Sequence, residues 1–427
     1  MNILSATRDI LKSTKDTLES SSIHAIPNIV RNKFYLIKIM WLLCFLTSTG
    51  ACGWFMYKSI SEYLKYDVVS NVKIEYVNRL EFPVVSVCNF NRWEDVTLNE
   101  TIISCEFNSK ECSIDGDFET YLDKNYVYCF RFNSRNVNGS KIKYSYSKGD
   151  WNALDLEVYL GTNIIESDKV ENGLVLFIND ENLDSSYQSA IKLSPGFSYD
   201  IVLSKYKVIK QPKPYSNCVG DLINVNSYDS VTYKKTFLYN NKYKFSYCSD
   251  MCMQKLIGDN CSIQATFIGG FYYENKKNVT EDNVKEDESA CIVDAIIEFK
   301  NTPEYLEECD CPLECEFSGY NYYKSMNEYP TKDYAKGLIS SSSYLKNEFP
   351  NYNDNDFELF RSNILKFQIY FDEMKETIIS HEIKTQLPDL VASVGGTLGL
   401  FLGLSFLSMV EFIEILMQTL IILFKYI

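Results

Sequence analysis

Apolar positions along the chain gather in two long runs with a polar tract between them. The first run is Tyr35 to Tyr57, "YLIKIMWLLCFLTSTGACGWFMY", and the second is Leu387 to Phe424. Each is long enough to cross a bilayer, for which about 20 apolar residues suffice. Lys33 and Lys38 lie at the start of the first run, and Trp41, Trp54 and Tyr57 suit its interfaces. Basic residues on that side place the N-terminal end in the cytosol, and a second crossing then returns the chain there. The predicted order is a cytosolic segment 1–34, a first transmembrane helix 35–57, an external block 58–386, a second transmembrane helix 387–424 and a cytosolic tail 425–427 too short for regulatory motifs. No apolar stretch begins close enough to the start for a cleaved signal peptide. Within the external block, Val84, Ser86 and Cys88 alternate, as do Leu365, Phe367, Ile369 and Phe371, which predicts strands. "ACIVDAIIEFK" predicts a short helix.

The second run is more than greasy. Small residues recur at Ala392, Gly395, Gly396, Gly399, Gly403 and Ser405. Gly395, Gly399 and Gly403 sit four apart, so a helix would line them in one stripe that lets backbones approach. Glu411 and Glu414 lie deeper, where a charge facing lipid is costly, so they should face water, an ion path or a partner. A packing anchor with a frayed cytosolic end accounts for the glycines equally well.

Charge and cysteine usage refine this picture. The net charge of −15 argues against nucleic acid and favours attracting cations. Of fourteen cysteines, Cys44 and Cys52 lie in the first run and the other twelve, Cys88 to Cys315, in the external block. An even number in one compartment indicates disulfides in an oxidising space, though spacing alone does not choose the pairing. Glycosylation sequons at Asn99, Asn138, Asn260 and Asn278 fall in the same block. Cys309-x-Cys311 could read as half a zinc site, but thiols outside the cell oxidise and His381 is the one histidine beyond the N-terminal tail. We see no nucleophile with a histidine, no phosphate loop and no metal-ligand set, so neither an enzyme nor a cofactor is expected.

Several stretches together resemble the degenerin/epithelial sodium channel family, which includes acid-sensing and peptide-gated channels. "GGTLGLFLGLSFLSMVE" resembles its second span: Gly395-Gly396, Gly399-Leu400-Phe401, Gly403-Leu404-Ser405, then Glu411. "FPVVSVCNFN" is similar to the strand entering the palm, "YVYCFRFNS" and "LSPGFSYDIVLSKYKVIKQPKPYSNC" to further palm segments, and "SSIHAIPNI" to the cytosolic gating motif. There His24 matches and Ala25 stands where glycine is expected. Cys248-x3-Cys252-x8-Cys261 and Cys309-x-Cys311-x3-Cys315 resemble the stapled thumb. The first thumb helix would be followed by Ile263, where a further cysteine of relatives would stand.

The resemblance implies an α+β membrane protein: a trimer, homomeric or with related subunits, each with two transmembrane helices flanking a disulfide-rich extracellular domain of β-rich palm, helical thumb and reduced finger. It implies the pairs Cys88–Cys129, Cys105–Cys112, Cys218–Cys315, Cys248–Cys311, Cys252–Cys309 and Cys261–Cys291. Gly403, Leu404 and Ser405 would form the selectivity filter, with Leu404 bulkier than the usual middle residue. Ala392, Ser393, Gly395, Gly396 and Gly399 would form the gate, Glu411 and Glu414 the pore acids, and Tyr66 with Tyr215 the coupling of ectodomain to pore.

The implied activity is that of a plasma-membrane, amiloride-sensitive, ligand-gated, sodium-permeable channel. The trigger is read from departures. Asp294 and Glu298, one turn apart, resemble a pair of thumb acids in acid-sensing relatives but are offset by about one residue, and a solvated acidic face explains them better. Gln368 and Ser393 stand where those relatives carry acids, and neither titrates. A neuropeptide is therefore favoured over protons or force. The alternatives are a non-conducting two-span cysteine-rich receptor and another trimeric two-span channel, such as the ATP-gated receptors, which need a basic cluster not seen here.

Overall fold

The computed structural model describes residues 25–405 apart from 91–97, 124–125, 135–140, 162–171, 183–189, 239–240, 267–271, 274 and 281–282, together with 15, 19 and nine positions between 408 and 421. Of the calls above, His24 and Asn138 lie outside the described residues, as does the side chain of Asn99. The chain divides into two compact units, residues 1–69 with 382–427, and residues 70–381.

The first unit is helical. Helix α1 (Ala25–Arg31) leads by three residues into α2 (Tyr35–Tyr63), which runs one and a half turns beyond the predicted span. Its length and apolar character suffice to cross a membrane. Leu36, Ile39, Met40, Leu43 and Leu46 all point outwards, the arrangement expected where the surroundings are themselves apolar. The second predicted span is not one continuous helix. Regular helix α3 covers Leu387–Leu402, backbone φ turns to +72° at Gly403, and the described residues from Ser408 to Ile421 are helical again. At the start of α3, Pro388 occupies the first turn, where its missing N–H costs nothing. Asp389 Oδ2 accepts from the Gln386 N–H at 3.1 Å, which also places an acid at the positive end of the helix dipole.

The second unit is built on two sheets. In chain order, the strands used below are β1 (Val68–Tyr76), β2 (Val84–Asn89), β3 (Ile102–Phe107), β4 (Lys110–Glu111), β5 (Phe118–Asp123), β6 (Val127–Phe132), β7 (Leu154–Tyr159), β8 (Leu174–Asn179), β9 (Ile191–Leu193), β10 (Phe197–Ile209), β11 (Glu316–Glu328) and β12 (Ile364–Ile383). One sheet runs β11-β10-β12-β7-β3-β4 with β1 also on β12, and the other runs β9-β8-β2-β6-β5. The alternation predicted for β12 sends Leu365, Phe367, Ile369 and Phe371 into the core between the sheets, each at most 1 % exposed. Strand β2 does not alternate. It lies between β8 and β6, and all six of its residues are buried, as a central strand covered on both faces must be. Phe82, Phe107, Phe132 and Phe371 meet edge to face at the centre, an arrangement that adds to area burial.

Strands β10 and β12 are parallel neighbours, which demands a long crossover. Here the crossover runs through the thumb, the return strand β11, antiparallel to β10 over thirteen residues, and then the helices Lys332–Ser341, Ser343–Glu348 and Phe357–Arg361. The predicted short helix is longer than its apolar signature. It covers Glu286–Asn301, because three acids favour its first turn. It packs on the helix Phe245–Cys261 around Ile257, Ile263, Val279, Ile292 and Ala295.

Candidate ion pathway

The glycine stripe of α3 lies on its outward side. Ala392, Gly395, Gly396 and Gly399 are exposed there, Ser393 is exposed nearer the side toward α2, and an added Cβ at Gly395 or Gly396 would meet nothing within 4 Å. Among the described residues, nothing of this chain packs against the Cβ positions of Gly395 and Gly396. The opposite side of α3 faces α2. Phe401 stacks on Phe55 with ring centroids 5.6 Å apart, and the hydroxyls of Ser59 and Ser393 hydrogen-bond at 3.1 Å. Both contacts belong to the first unit.

The break in the helix is built by caps at either side. Gly403, in the left-handed region open to glycine at little cost, donates its N–H to the Gly399 carbonyl at 3.1 Å. That is a left-handed stop. Ser405 then caps the helical residues that follow: the Ser408 N–H donates to Ser405 Oγ at 3.3 Å, and the Ser405 N–H to Ser408 Oγ at 3.0 Å. The reciprocal pair is the capping-box arrangement with a serine in place of the usual acid. Ser408 escaped the sequence reading. Its signal was the Ser-x-x-Ser spacing after a glycine. Leu404, between the caps, is half-buried and its carbonyl lies 3.8 Å from where a Gly399 Cβ would sit. Such a break brings backbone carbonyls and hydroxyls together along an otherwise apolar helix, and these are groups able to replace part of a cation's water shell. Glu411 is half-buried and Glu414 exposed, both in the helical residues beyond.

In the second unit, the structure joins Cys88 to Cys129, Cys105 to Cys112, Cys218 to Cys315, Cys248 to Cys311, Cys252 to Cys309 and Cys261 to Cys291. Cys88 and Cys129 are directly opposite on β2 and β6. Cys248 and Cys252, one turn apart on a helix, take Cys311 and Cys309 in reverse order, forming a two-rung ladder. Ile263, in the position of the missing cysteine, fills the thumb core. Cys44 and Cys52 are free. Among the described residues, no group of three or more His, Cys, Asp or Glu is placed to hold a metal.

The carboxylates sort themselves by environment. Asp294 and Glu298 are both exposed on one face of their helix. Glu298 accepts from Tyr305 and, at 3.1 Å, from the Asn260 amide. That amide is the acceptor position of a sequon. Asn278 is exposed in the short strand Lys277–Val279. Gln368 donates to Asp155 Oδ2 at 2.6 Å, and Lys366 pairs with the same oxygen at 2.9 Å. Beside them Glu157, 2 % exposed, accepts from Tyr334 at 2.6 Å, Ser104 at 2.8 Å and Tyr329 at 2.9 Å. Burial, then this hydrogen bond to a carboxylate, pushes the Tyr334 hydroxyl up to about 12. Glu157 is thus satisfied internally, as a buried charge requires, while Asp155 Oδ1 beside it has no hydrogen-bond partner among the described residues.

One acidic pair was missed by sequence reasoning. At the end of β8, burial and then the neighbouring charge of Glu181 push the Asp180 carboxyl above its usual range. Burial also penalises the charged form of Glu181, but hydrogen bonds from Lys244 and Lys242 outweigh it and hold that carboxyl low. Lys242 lies 2.9 Å away and Lys244 closer still, both leading into the helix Phe245–Cys261. Two adjacent acids in sequence carry no sign of this; the lysines are sixty residues downstream.

Tyr66 is in the first unit, in the left-handed region after α2 with its ring on Tyr63. Tyr215 is half-buried in the second, in the turn after Pro212. Ala25 opens helix α1.

A sequence model of the amiloride-sensitive sodium channel family matches residues 17–97 and 93–415. The bile acid-sensitive ion channel of Homo sapiens is 23 % identical over 95 % of this chain and 86 % of its own length. The FMRFamide-activated amiloride-sensitive sodium channel of Cornu aspersum is 22 % identical over 93 % and 81 %. Acid-sensing ion channel 1 of Gallus gallus is 22 % identical over 92 % and 82 %. With the match running from the N-terminal segment through both sheets and the thumb to the helix break and beyond, the chain belongs to the amiloride-sensitive sodium channel family, the degenerins and epithelial sodium channels, whose members are membrane-embedded ion channels and not enzymes.

Proposed function

We propose that the protein is a subunit of a sodium-permeable, amiloride-sensitive, ligand-gated cation channel with two spans and cytosolic ends. Three copies surround the pore, as a homotrimer or with related subunits. The observation that carries this reading is the capped break at Gly403–Leu404–Ser405 in an apolar helix whose small-residue face is bare. Three such helices meeting along Ala392, Gly395, Gly396 and Gly399 would ring the axis with carbonyls and hydroxyls at the break. Ser393 lies beside Ala392 at the gate, Glu411 and Glu414 supply negative charge beyond the filter, and His24 with Ala25 belong to the cytosolic mouth. Tyr66 and Tyr215 couple the ectodomain to the pore, and the chain is glycosylated at the exposed Asn278 among its sequons.

A peptide is the favoured trigger. Gln368 is an amide held to Asp155, so the palm position offers no proton to lose, and Ser393 offers none either. The FMRFamide-activated relative supports the same choice.

The test replaces Ala392 by a bulky residue, which should keep the three helices apart, and records whole-cell current during exchange of external sodium. A standing sodium current blocked by amiloride and absent from the parent is expected. Absence of current with the chain at the surface, alone and with related subunits, would point to a non-conducting receptor.

A further inference from the structure

The first span reaches the break in the second through one hydroxyl. A helix that stops leaves its last carbonyls without partners, and in an apolar medium with no water each such group is costly. At the end of α3, the Gly399 carbonyl is taken by Gly403 and the Leu398 carbonyl by Leu404, whose N–H lies 3.3 Å away. The Phe401 carbonyl, two residues before the break, is taken by the side chain of Ser48, whose Oγ donates at 2.5 Å. Ser48 sits in the middle of α2, more than 350 positions away in sequence. The same residue, Phe401, has its ring stacked on Phe55 of α2. Phe401 is therefore held from one side at both backbone and ring.

We infer that Ser48 is a positioning residue for ion selection: by donating its hydroxyl to the Phe401 carbonyl, it fixes where α3 ends and so where the Gly403–Ser405 carbonyls stand. The inference rests on the reading of Gly403–Leu404–Ser405 as the filter. Without the Ser48 hydroxyl, the Phe401 carbonyl must find a new donor. The N–H groups of Gly403, Leu404 and Ser405 that follow it are already engaged, so supplying one would require the break to move or tighten. The packing of α2 on α3 would remain through Phe55 and through Ser59 with Ser393. The expected loss is thus of geometry at the break, not of the helix pair.

The experiment is done on the full chain carrying the bulky Ala392 replacement, with reversal potentials read under sodium and then potassium. Ser48→Ala is expected to lower the sodium-to-potassium permeability ratio by about threefold or more, the worth of one hydroxyl bond between spans. Ser48→Thr, which keeps the hydroxyl, is expected to hold the ratio near the parent's, and Ser48→Val, of the same shape without it, to behave like Ser48→Ala. Surface labelling accompanies each variant. A change in current amplitude or surface level with the ratio unmoved is what a merely packing role would give, and it overturns the inference. Should Ser48→Ala not reach the surface, the Thr and Val pair decides, and failure of all three to separate by hydroxyl likewise overturns it. Gly403→Ala is the control on the underlying reading. If it moves the ratio and Ser48→Ala does not, the filter stands and the role of Ser48 falls. If neither moves it, both fall.

Discussion

The thumb helix Phe245–Cys261 and the apolar helix Leu387–Leu402 are almost the same length, yet they are held in opposite ways. Three disulfides leave the thumb helix, at Cys248, Cys252 and Cys261, and its apolar core is small. Helix α3 has no covalent tie. Single hydroxyls at Ser48 and Ser59, one aromatic stack and a glycine stop hold it in place. Each of those is worth about 0.5–2 kcal/mol, against about 2–5 for a disulfide in a domain of limited core. The difference has a physical reading. An element stapled covalently keeps its shape under load, whereas one held by single hydrogen bonds and a ring stack can leave its contacts. Strand β12 provides the continuous connection, running for twenty residues from the core between the sheets to three residues short of α3.

Breaking the rigid side should have the largest effect. Replacing Cys252 and Cys309 together by serine removes one rung of the ladder and opens a loop of 57 residues. The expected cost is about 2–5 kcal/mol, seen as loss of mature protein from the cell surface. Retention of full surface level and current would mean that the thumb is not the stiff member of the pair.

The second test acts on the soft side. Gly403→Ala places a Cβ where φ is +72°, at a cost of about 1–2 kcal/mol. In the chain carrying the bulky Ala392 replacement, surface level should fall little, while the standing sodium current and its amiloride block change severely, because the break must shift to relieve the strain. An unaltered current would remove the break from the ion path.

The smallest effect should come from Asp180, where β8 meets the lysines ahead of the thumb helix. Its carboxyl titrates above the usual range because the fold favours the protonated form. The sign follows: the ionised group costs stability at neutral pH, and that cost is recovered as pH falls through the raised pKa. Asp180→Asn should therefore be slightly more stable than the parent near pH 7, by a degree or two in Tm at about this size, with the gap closing on acidification. Thermal unfolding of the full chain in detergent at several pH values checks it. A gap that widens as pH falls would reverse the assignment.

Much of this architecture was legible in the residues. Apolar length gave the α2 helix, alternation gave β12 with its four inward residues, and the even count in one block gave the oxidised state of the twelve cysteines between the two apolar runs. The pairing of those cysteines came from resemblance, since spacing permits many partners, and the fold is what sets Cys248 and Cys252 against Cys311 and Cys309. Besides α2, which runs on past its predicted span, two expectations met a structure of different extent. The helix after Cys261 is longer than its apolar letters because charged residues can cap and extend a helix without burying anything. The second apolar run is interrupted because a run of letters measures length and hydropathy, while a stop is decided by one glycine angle.

What the sequence alone determined is whatever depends on neighbours along the chain: hydropathy, the small-residue stripe, the strand period, the sequons and the neutral side chains at Gln368 and Ser393. What only the tertiary structure decided is every pairing between distant positions. Ser48 with the Phe401 carbonyl, Glu157 with Tyr329, Tyr334 and Ser104, and Asp180 and Glu181 with Lys242 and Lys244 belong to that class. Hydrogen bonds and charge effects act over a few ångströms of space, and sequence separation places no limit on them.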